Sequence, residues 1–215
     1  MAIPLAILQD GAANRNSGAP TGPTTVLAPA NSLVVVAIGG VGGTINSLAD
    51  SALNHYALKV RSNNHFDVEL WWCANINALP IGGTFTAVTN GGGQYSLNIA
   101  AAVAGFNGGA DASGLTNVNA TTMTVTSSAT TVANGMAFAA QNGLGGGTYT
   151  EDSNWTQLAT NAELTNGLAY RQLGTIGTTS WSPSWTPSGG MDGVIATFAP
   201  NPPPQVLLPQ NLVFV

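Results

Sequence analysis

The sequence predicts an all-β fold, an antiparallel β-sandwich of jelly-roll or immunoglobulin-like type with about ten strands. Short apolar or alternating runs rich in Val, Thr and aromatic residues recur along its 215 residues. Clusters of Gly, Asn and Pro bound these runs, and helical periodicity is almost absent. We place strands near 32–38, 56–61, 67–74, 84–89, 94–104, 121–126, 135–140, 155–160, 167–173, 177–181 and 192–198.

The composition is poor in charge. Charged residues make up 6% of the chain, where a soluble domain carries about 25%. An apolar content of 44% and a net charge of -5 do not fit a disordered chain. A surface with so little charge repels its own copies weakly. The composition therefore favours either a protein packed against other copies or a scaffold, or a secreted β-protein with an Asn/Thr-rich surface.

Several classes of partner are disfavoured. The four basic residues are too few and too scattered for a nucleic-acid surface, and they are Arg15, Lys59, Arg61 and Arg171. Cys73 is the only cysteine, so we expect neither an intrachain disulfide nor a cysteine-based metal site. The N-terminus lacks the basic region of a signal peptide, and no segment reaches the ~18 apolar residues of a membrane span.

One hairpin can be predicted in detail, in the stretch "ALKVRSNNHFDVELWW". Apolar and charged residues alternate on both of its arms, and a three-residue loop at 63–65 would close it. This register sets Arg61 opposite Asp67. It also sets Lys59 opposite Glu69, so that the charges form one exposed ladder and the apolar residues share the other face.

The chain also repeats itself weakly. "ANSLVVVAIGG" at 30–40 aligns with "ANGMAFAAQNG" at 133–143, and "VELWWCAN" at 68–75 corresponds to "GLAYRQLG" at 167–174. "TFTAV" then corresponds to "TTSWS", and "SLNIAAAVAGF" to "MDGVIATFAP". We therefore divide the chain into an extended N-terminal arm, a body of two similar halves and a proline-rich C-terminal arm. The ranges are 1–24 for the first arm, 25–200 for the body, 31–108 and 115–200 for its halves, and 201–215 for the second arm.

The order of these segments resembles a β-sandwich module of bacteriophage virion proteins and large bacterial surface proteins. The resemblance covers roughly residues 25–200, and its most specific pieces are 72–75 and Gly105 or Gly108 after the fifth strand. It implies a structural or adhesive role without catalysis. The apolar N-terminus and the proline tail depart from the module.

Candidate chemistry is sparse. No G-x-S-x-G motif occurs, and the only histidines, His55 and His65, lie beside predicted turns. His65, Asp67 and Glu69 could form an H-x-D-x-E metal facet, but the charge ladder also accounts for the basic partners. Six further acidic residues lie mostly in loops, and Glu151 with Asp152 is the best calcium candidate among Asp10, Asp50, Asp111, Glu151, Asp152 and Asp192. We expect no enzyme, no cofactor and no metal.

Two tryptophans, Trp181 and Trp185, stand in "WSPSWTP". On one strand they would share a face, and exposed tryptophans can stack on sugar rings. The alternative is that Trp181 fills the core and Trp185 packs at the end of a sheet.

Both termini are apolar. The tail "NPPPQVLLPQNLVFV" has no charged side chain, four prolines and seven large apolar residues. We expect the arms to form an assembly interface, with Ile3, Leu5, Ile7, Leu8, Val206, Leu207, Leu208, Leu212, Val213 and Phe214. A tail that folds back on its own body is the alternative.

These expectations favour a virion structural protein, above all a capsid decoration or reinforcement protein. It would bind its own copies as a homo-oligomer and a capsid or other virion lattice, after assembly in the host cytoplasm. The alternative is a tail-fibre, spike or bacterial surface adhesin that binds glycan outside the cell. A secreted carbohydrate-active enzyme is the weakest reading, because no carboxylate pair lies in a recognisable motif.

Overall fold

The structure, a computed structural model, describes residues 5–10, 23–90, 94–104, 106, 108–143, 148–161 and 166–200. These residues form strands and loops without a helix, so the prediction of an all-β chain is confirmed. The strands are β1 Leu5–Asp10, β2 Leu33–Val41, β3 Thr44–Asp50, β4 His55–Ser62, β5 Asp67–Cys73, β6 Phe85–Asn90, β7 Gln94–Val103, β8 Ala110–Thr122, β9 Val125–Thr126, β10 Met136–Gly143, β11 Thr148–Thr150, β12 Thr156–Asn161, β13 Asn166–Gln172, β14 Ser180–Trp181 and β15 Ser184–Phe198.

The described residues contain fifteen strands, more than the ten that the sequence predicts. The predicted apolar strands are present, and those that were missed are β1, β3, β8, β11 and the first part of β15. The strand expected at 121–126 is divided between the end of β8 and β9. β8 was missed because its sequence, ADASGLTNVNATT, carries small and polar residues, and its pairing with β15 supplies the main-chain hydrogen bonds that hold it.

Two antiparallel sheets make up most of the chain. The first has the order β1-β7-β2-β5-β4-β3-β6, and the second has the order β11-β15-β10-β13-β12, with β8 also paired to β15. β9 and β14 form a separate two-stranded sheet. The central strands β2 and β10 are buried along nearly their whole length, which explains why their sequences are almost continuously apolar or small.

The core has three parts. One cluster lies between the two sheets and includes Val35, Leu70, Phe138 and Phe198. A second cluster covers the opposite face of the first sheet, which curls so that Ile45 of β3 joins the core there. The third lies against the opposite face of the second sheet, where the β9–β14 pair covers it. Successive side chains of a strand point to opposite faces of its sheet. Because both faces of each sheet are covered, side chains on either face are buried.

The two central strands have corresponding neighbours. β2 lies between β7 and β5, and β10 lies between β15 and β13. These are the segments that the weak repeat aligns, and Asn31 and Asn134, which precede the two strands, have φ angles of 59° and 60°. The correspondence ends at the periphery, because β6 pairs with β3 whereas β14 pairs with β9.

β2 and β10 run in the same direction, which gives the molecule two distinct ends. Asn142 Nδ2, near the end of β10, donates to Gly40 O, near the end of β2, at 2.8 Å. We call this the Asp192 end, since Asp192 pairs with Asn142. At the opposite end, where β2 and β10 begin, β15 finishes and the chain continues through Pro200, so we call it the Pro200 end.

The N-terminal arm is not separate from the body throughout. Leu5, Ile7 and Leu8 lie in β1, which pairs with β7 at the edge of the first sheet. Pro23 forms a bridge to Thr84. The described parts of the extended arm predicted over 1–24 are therefore paired with the body. The described residues include no helix that could cross a membrane.

Candidate functional site

The most densely bonded polar group lies at the Asp192 end. The carboxylate of Asp192 is fully buried and accepts hydrogen bonds from four donors of the β4–β5 turn. Ser62 Oγ donates at 2.6 Å, and the main-chain N–H groups of Asn64, His65 and Phe66 donate at 3.2, 2.8 and 2.7 Å. A buried carboxylate needs several donors to offset its lost hydration. This one fastens a turn of the first sheet to β15 of the second.

Serine, histidine and aspartate meet here, but their bonds differ from those of a hydrolytic triad. Ser62 donates to Asp192 directly, and His65 Nδ1 lies 3.9 Å from the same carboxylate. In a triad the histidine stands between the two as the base. The arrangement therefore fixes a turn. His55, the other histidine, begins β4 and is exposed.

Glu69 is the second buried carboxylate of this region. It accepts from Arg61 Nε at 2.7 Å, from Ile45 N at 3.1 Å and from Trp71 Nε1. Arg61 in turn donates to Ile45 O at 2.7 Å. Glu69 therefore joins β3, β4 and β5 beneath the curl of the first sheet.

The predicted hairpin exists, but its register and exposure were wrong. Arg61 pairs with Glu69 across the ladder, and its Nε lies 3.9 Å from Asp67 Oδ1. Lys59 falls at a bulge and donates to Asp111 O at 3.0 Å. The charged face is covered by the curl of the sheet, so the acidic side chains are buried where an exposed ladder was expected. Part of the predicted apolar face packs into the core between the sheets, whereas Leu58 is 38% exposed.

Asp67 differs from its neighbours. Both of its carboxyl oxygens are buried, and neither accepts a hydrogen bond from a donor in the described part of the chain. Burial, and next the adjacent charge of Glu69, raise the pKa of Asp67 to about 8. In its protonated form Asp67 can donate a hydrogen bond to Glu69.

A cavity of about 440 Å³ lies beside Asp67, between the β2–β3 and β4–β5 turns. Its walls are formed by Val41, Gly42, Gly43, Thr44, Asn63, His65, Phe66 and Asp67. The carboxyl oxygens of Asp67 are closed off from solvent, so they do not face a ligand in this cavity.

The metal facet considered as an alternative to the charge ladder does not form. His65 lies in the turn against Asp192, whereas Glu69 points into the curled sheet, so the H-x-D-x-E set does not converge. In the described residues, no three His, Cys, Asp or Glu side chains are grouped as metal ligands would be.

The calcium candidate Glu151–Asp152 is occupied by internal hydrogen bonds. Glu151 accepts from Tyr149 Oη at 2.7 Å and from Trp181 Nε1 at 2.5 Å. Asp152 accepts from the N–H groups of Asn154 and Ser182, each at 2.9 Å. The pair ties the β11–β12 loop to β14.

Acidic side chains bind main-chain N–H groups in other parts of the molecule as well. Seven acidic side chains are described, and six of them accept from main-chain N–H groups, namely Asp50, Glu69, Asp111, Glu151, Asp152 and Asp192. Asp67 is the exception. Most of the described carboxylates therefore stabilise loops of the chain itself.

The tryptophans proposed to contact glycan are buried. Trp181 is 0% exposed and Trp185 is 3% exposed, and both belong to the outer core of the second sheet. Stacking on a sugar needs an exposed ring face, so these two residues do not offer that contact. The alternative that Trp181 fills the core is the correct one.

The Pro200 end carries exposed apolar side chains on three neighbouring segments. Segment 23–28 is bonded to 79–84 through Ala28 N to Leu79 O at 2.9 Å, and the turn at 51–54 is bonded to Thr84. We call their exposed apolar residues the Leu27–Ile81 surface, and they are Val26, Leu27, Leu53 and Ile81. Sequence reasoning missed this surface, although the complete lack of charge in these segments was a visible signal.

The residues predicted for assembly are only partly placed. Leu5, Ile7 and Leu8 lie in β1. Ile3 and the tail residues Val206, Leu207, Leu208, Leu212, Val213 and Phe214 lie outside the described residues.

No family model matches this chain, and no curated protein or solved structure is significantly similar to it. The resemblance to a module of virion and bacterial surface proteins therefore stays a prediction.

Proposed function

We propose that this chain is a virion structural protein, most specifically a bacteriophage capsid decoration or reinforcement protein that acts by burying surface. The observation that carries the proposal is the use of its carboxylates. Six of the seven described acidic side chains hold main-chain N–H groups of the chain's own loops. A molecule whose few carboxylates stabilise its own loops is rigid, and rigidity suits a component of a lattice.

For the body, we propose a β-sandwich of jelly-roll or immunoglobulin-like type with halves at 31–108 and 115–200. The core shared by the two sheets and the corresponding neighbours of β2 and β10 support it. A sandwich of this kind can present loops and arms at both ends while its core stays closed.

The partners in this proposal are other copies of the chain and a capsid or other virion lattice. Assembly would take place in the host cytoplasm, and the mature location would be the virion. The tail supplies the contact by arm exchange, because it has seven large apolar residues and no charge, and it begins where β15 ends.

The second candidate is a tail-fibre, spike or bacterial surface adhesin that binds glycan. With the two tryptophans buried, the feature that favours it is the cavity of about 440 Å³ at the Asp192 end, where Phe66 and polar turn residues form the walls. A glycan array on the full chain tests it, and Phe66→Ala should then abolish any binding that is found.

The decoration proposal is tested with the full chain and a variant that replaces Leu207, Leu208, Leu212 and Phe214 by serine. Sedimentation gives the mass of each alone and the amount bound to particles assembled without this chain. We expect the native chain to form oligomers and saturate the particles, and the variant to remain folded but to bind at least tenfold more weakly. A native chain that stays monomeric and binds no particle would refute the proposal.

A further inference from the structure

We infer that the Leu27–Ile81 surface is the acceptor for the C-terminal tail of a second copy of this chain. The inference rests on the proposed arm exchange and names the surface that receives the arm.

The first support is position. Ala199 N donates to Gly109 O at 2.9 Å, and the preceding strand β7 ends at Val103, which pairs with Leu33 at the start of β2. The tail therefore leaves the body at the end of the molecule that carries the exposed apolar residues. Val132 and Ile176 of the second half are exposed on the loops that precede β10 and β14.

The second support is a strained leucine. Leu53 has a φ of 64°, in the left-handed region that Gly or Asn adopts at lower cost. Its side chain is 77% exposed, so no burial within this chain offsets that strain. Strained backbone positions cluster at functional sites, so this outlier supports a binding role for the exposed Leu53 side chain. Leu27 and Ile81 on the adjoining segments are 51% and 69% exposed.

The third support is chemical. Segments 23–28, 51–54 and 79–84 contain no charged residue, and neither does the tail from Asn201 to Val215. Docking one on the other thus desolvates no charge, and apolar area is removed from water on both partners. A charged partner segment would lose its hydration here without gaining an ion pair.

The occupant is the tail of a second copy because of how the tail begins. Asn201 is followed by three prolines, which favour an extended polyproline II conformation of about 3.1 Å per residue. In that conformation the first four residues would advance by about 12 Å and would carry Val206 away from the body. A return to the same body would require a reversal immediately after this stiff segment.

The test uses full-length chains and their self-association, measured by sedimentation equilibrium over a dilution series. The surface variant carries Leu27→Ser and Ile81→Ser, the tail variant carries Leu208→Ser and Phe214→Ser, and the control carries Leu115→Ser, which is 55% exposed on β8. We expect the surface and tail variants each to weaken dimerisation at least tenfold, the control to stay within twofold of the native chain, and the combined variant to lose little more than either alone.

The outcomes separate this inference from the proposed function. If the tail variant weakens association and the surface variant does not, arm exchange stands and the acceptor assigned here is wrong. If neither variant changes the association, both ideas fail. Thermal melts of each variant verify that the body remains folded.

A cross-linking experiment then distinguishes a second copy from the chain's own tail. One chain carries Ile81→Cys and the other Leu212→Cys, both with Cys73→Ser so that no other thiol is present. Oxidation of the mixture should yield a disulfide-linked mixed dimer. If the mixture yields none while a single chain with both cysteines closes on itself, the tail binds its own body and the inference is overturned.

Discussion

Ser62 and Asp192 are 130 residues apart in the sequence, and their side chains are joined by a buried hydrogen bond of 2.6 Å. The bond connects the end of β4 in the first sheet to β15 in the second. Three main-chain N–H groups of the same turn bind the same carboxylate. This junction therefore couples the two sheets at the end of the molecule opposite to the Pro200 end.

Replacing Asp192 by Asn should destabilise the protein strongly. The amide presents one acceptor fewer and sets an NH₂ group against main-chain donors, so buried N–H groups lose their partner. We expect a loss of about 3 kcal/mol in the free energy of unfolding, measured by urea titration. Asp111→Asn is the matched control, because Asp111 binds Thr131 at an exposed site, and it should cost less than about 1 kcal/mol. Equal losses for the two variants would contradict the role of the junction.

Asp67→Asn should remove a pH dependence of stability. The pKa of Asp67 is raised from 3.8 to about 8 in the folded chain, so its stabilising effect is complete below pH 4 and is lost as the pH rises towards 8. One pKa unit corresponds to about 1.4 kcal/mol, so the loss is on the order of a few kcal/mol. The asparagine imitates the protonated form, and urea titrations from pH 4 to 9 should show a flatter profile and a more stable variant at pH 8. Asp111→Asn should retain the native slope, and an unchanged slope in Asp67→Asn would rule out this titration.

The asparagines that precede the two central strands should respond alike to substitution. Asn31 and Asn134 have φ angles of 59° and 60°. A β-branched residue is strained in this region, so Asn31→Val and Asn134→Val should each lower the melting temperature, at a cost of about 1–2 kcal/mol. The matched Gly variants should be nearly neutral, since Gly adopts this conformation freely. Different responses at the two positions would argue that they are not equivalent.

Two adjacent glycines should differ sharply in their tolerance of alanine. A Cβ atom on Gly108 would lie 1.5 Å from the carbonyl oxygen of Ala199, whereas a Cβ on Gly109 would meet no atom within 4 Å. Gly108→Ala must therefore displace the chain just before the tail, and we expect a loss of about 2 kcal/mol or more, while Gly109→Ala stays within about 1 kcal/mol. Thermal melts compare the two directly, and equal tolerance would show that the main chains do not approach so closely.

The β4–β5 hairpin shows how much of the structure the local sequence pattern predicts. Alternation correctly indicated both strands and most of the apolar side chains that pack between the sheets, but not the exposure of Leu58. It failed on the partner of Arg61, which is Glu69, because a bulge at Lys59 shifts the register. It failed on exposure as well, because β3 curls over the charged face and Ile45 N binds Glu69. Neither the bulge nor the curl has a signature within the hairpin itself.

For the candidate sites too, the sequence predicted some features and missed others. The burial of Trp181 was one of two open alternatives, since a tryptophan in a short strand is compatible with either face. The four donors around Asp192 could not be predicted, because they come from a turn 126 to 130 residues away. The Leu27–Ile81 surface was overlooked because isolated exposed apolar residues are common, and only the pairing of their segments brings them together.

The all-β class, the positions of most strands and the low content of charged residues could all be predicted from the sequence. These properties follow from local periodicity, turn residues and composition, each of which is decided within a few neighbouring residues. The tertiary structure alone decided which carboxylates are buried, which turn Asp192 holds and which apolar side chains stay in contact with water. Those outcomes depend on contacts between distant segments, because the free energy of a buried charge or an exposed leucine is set by whatever the fold places beside it.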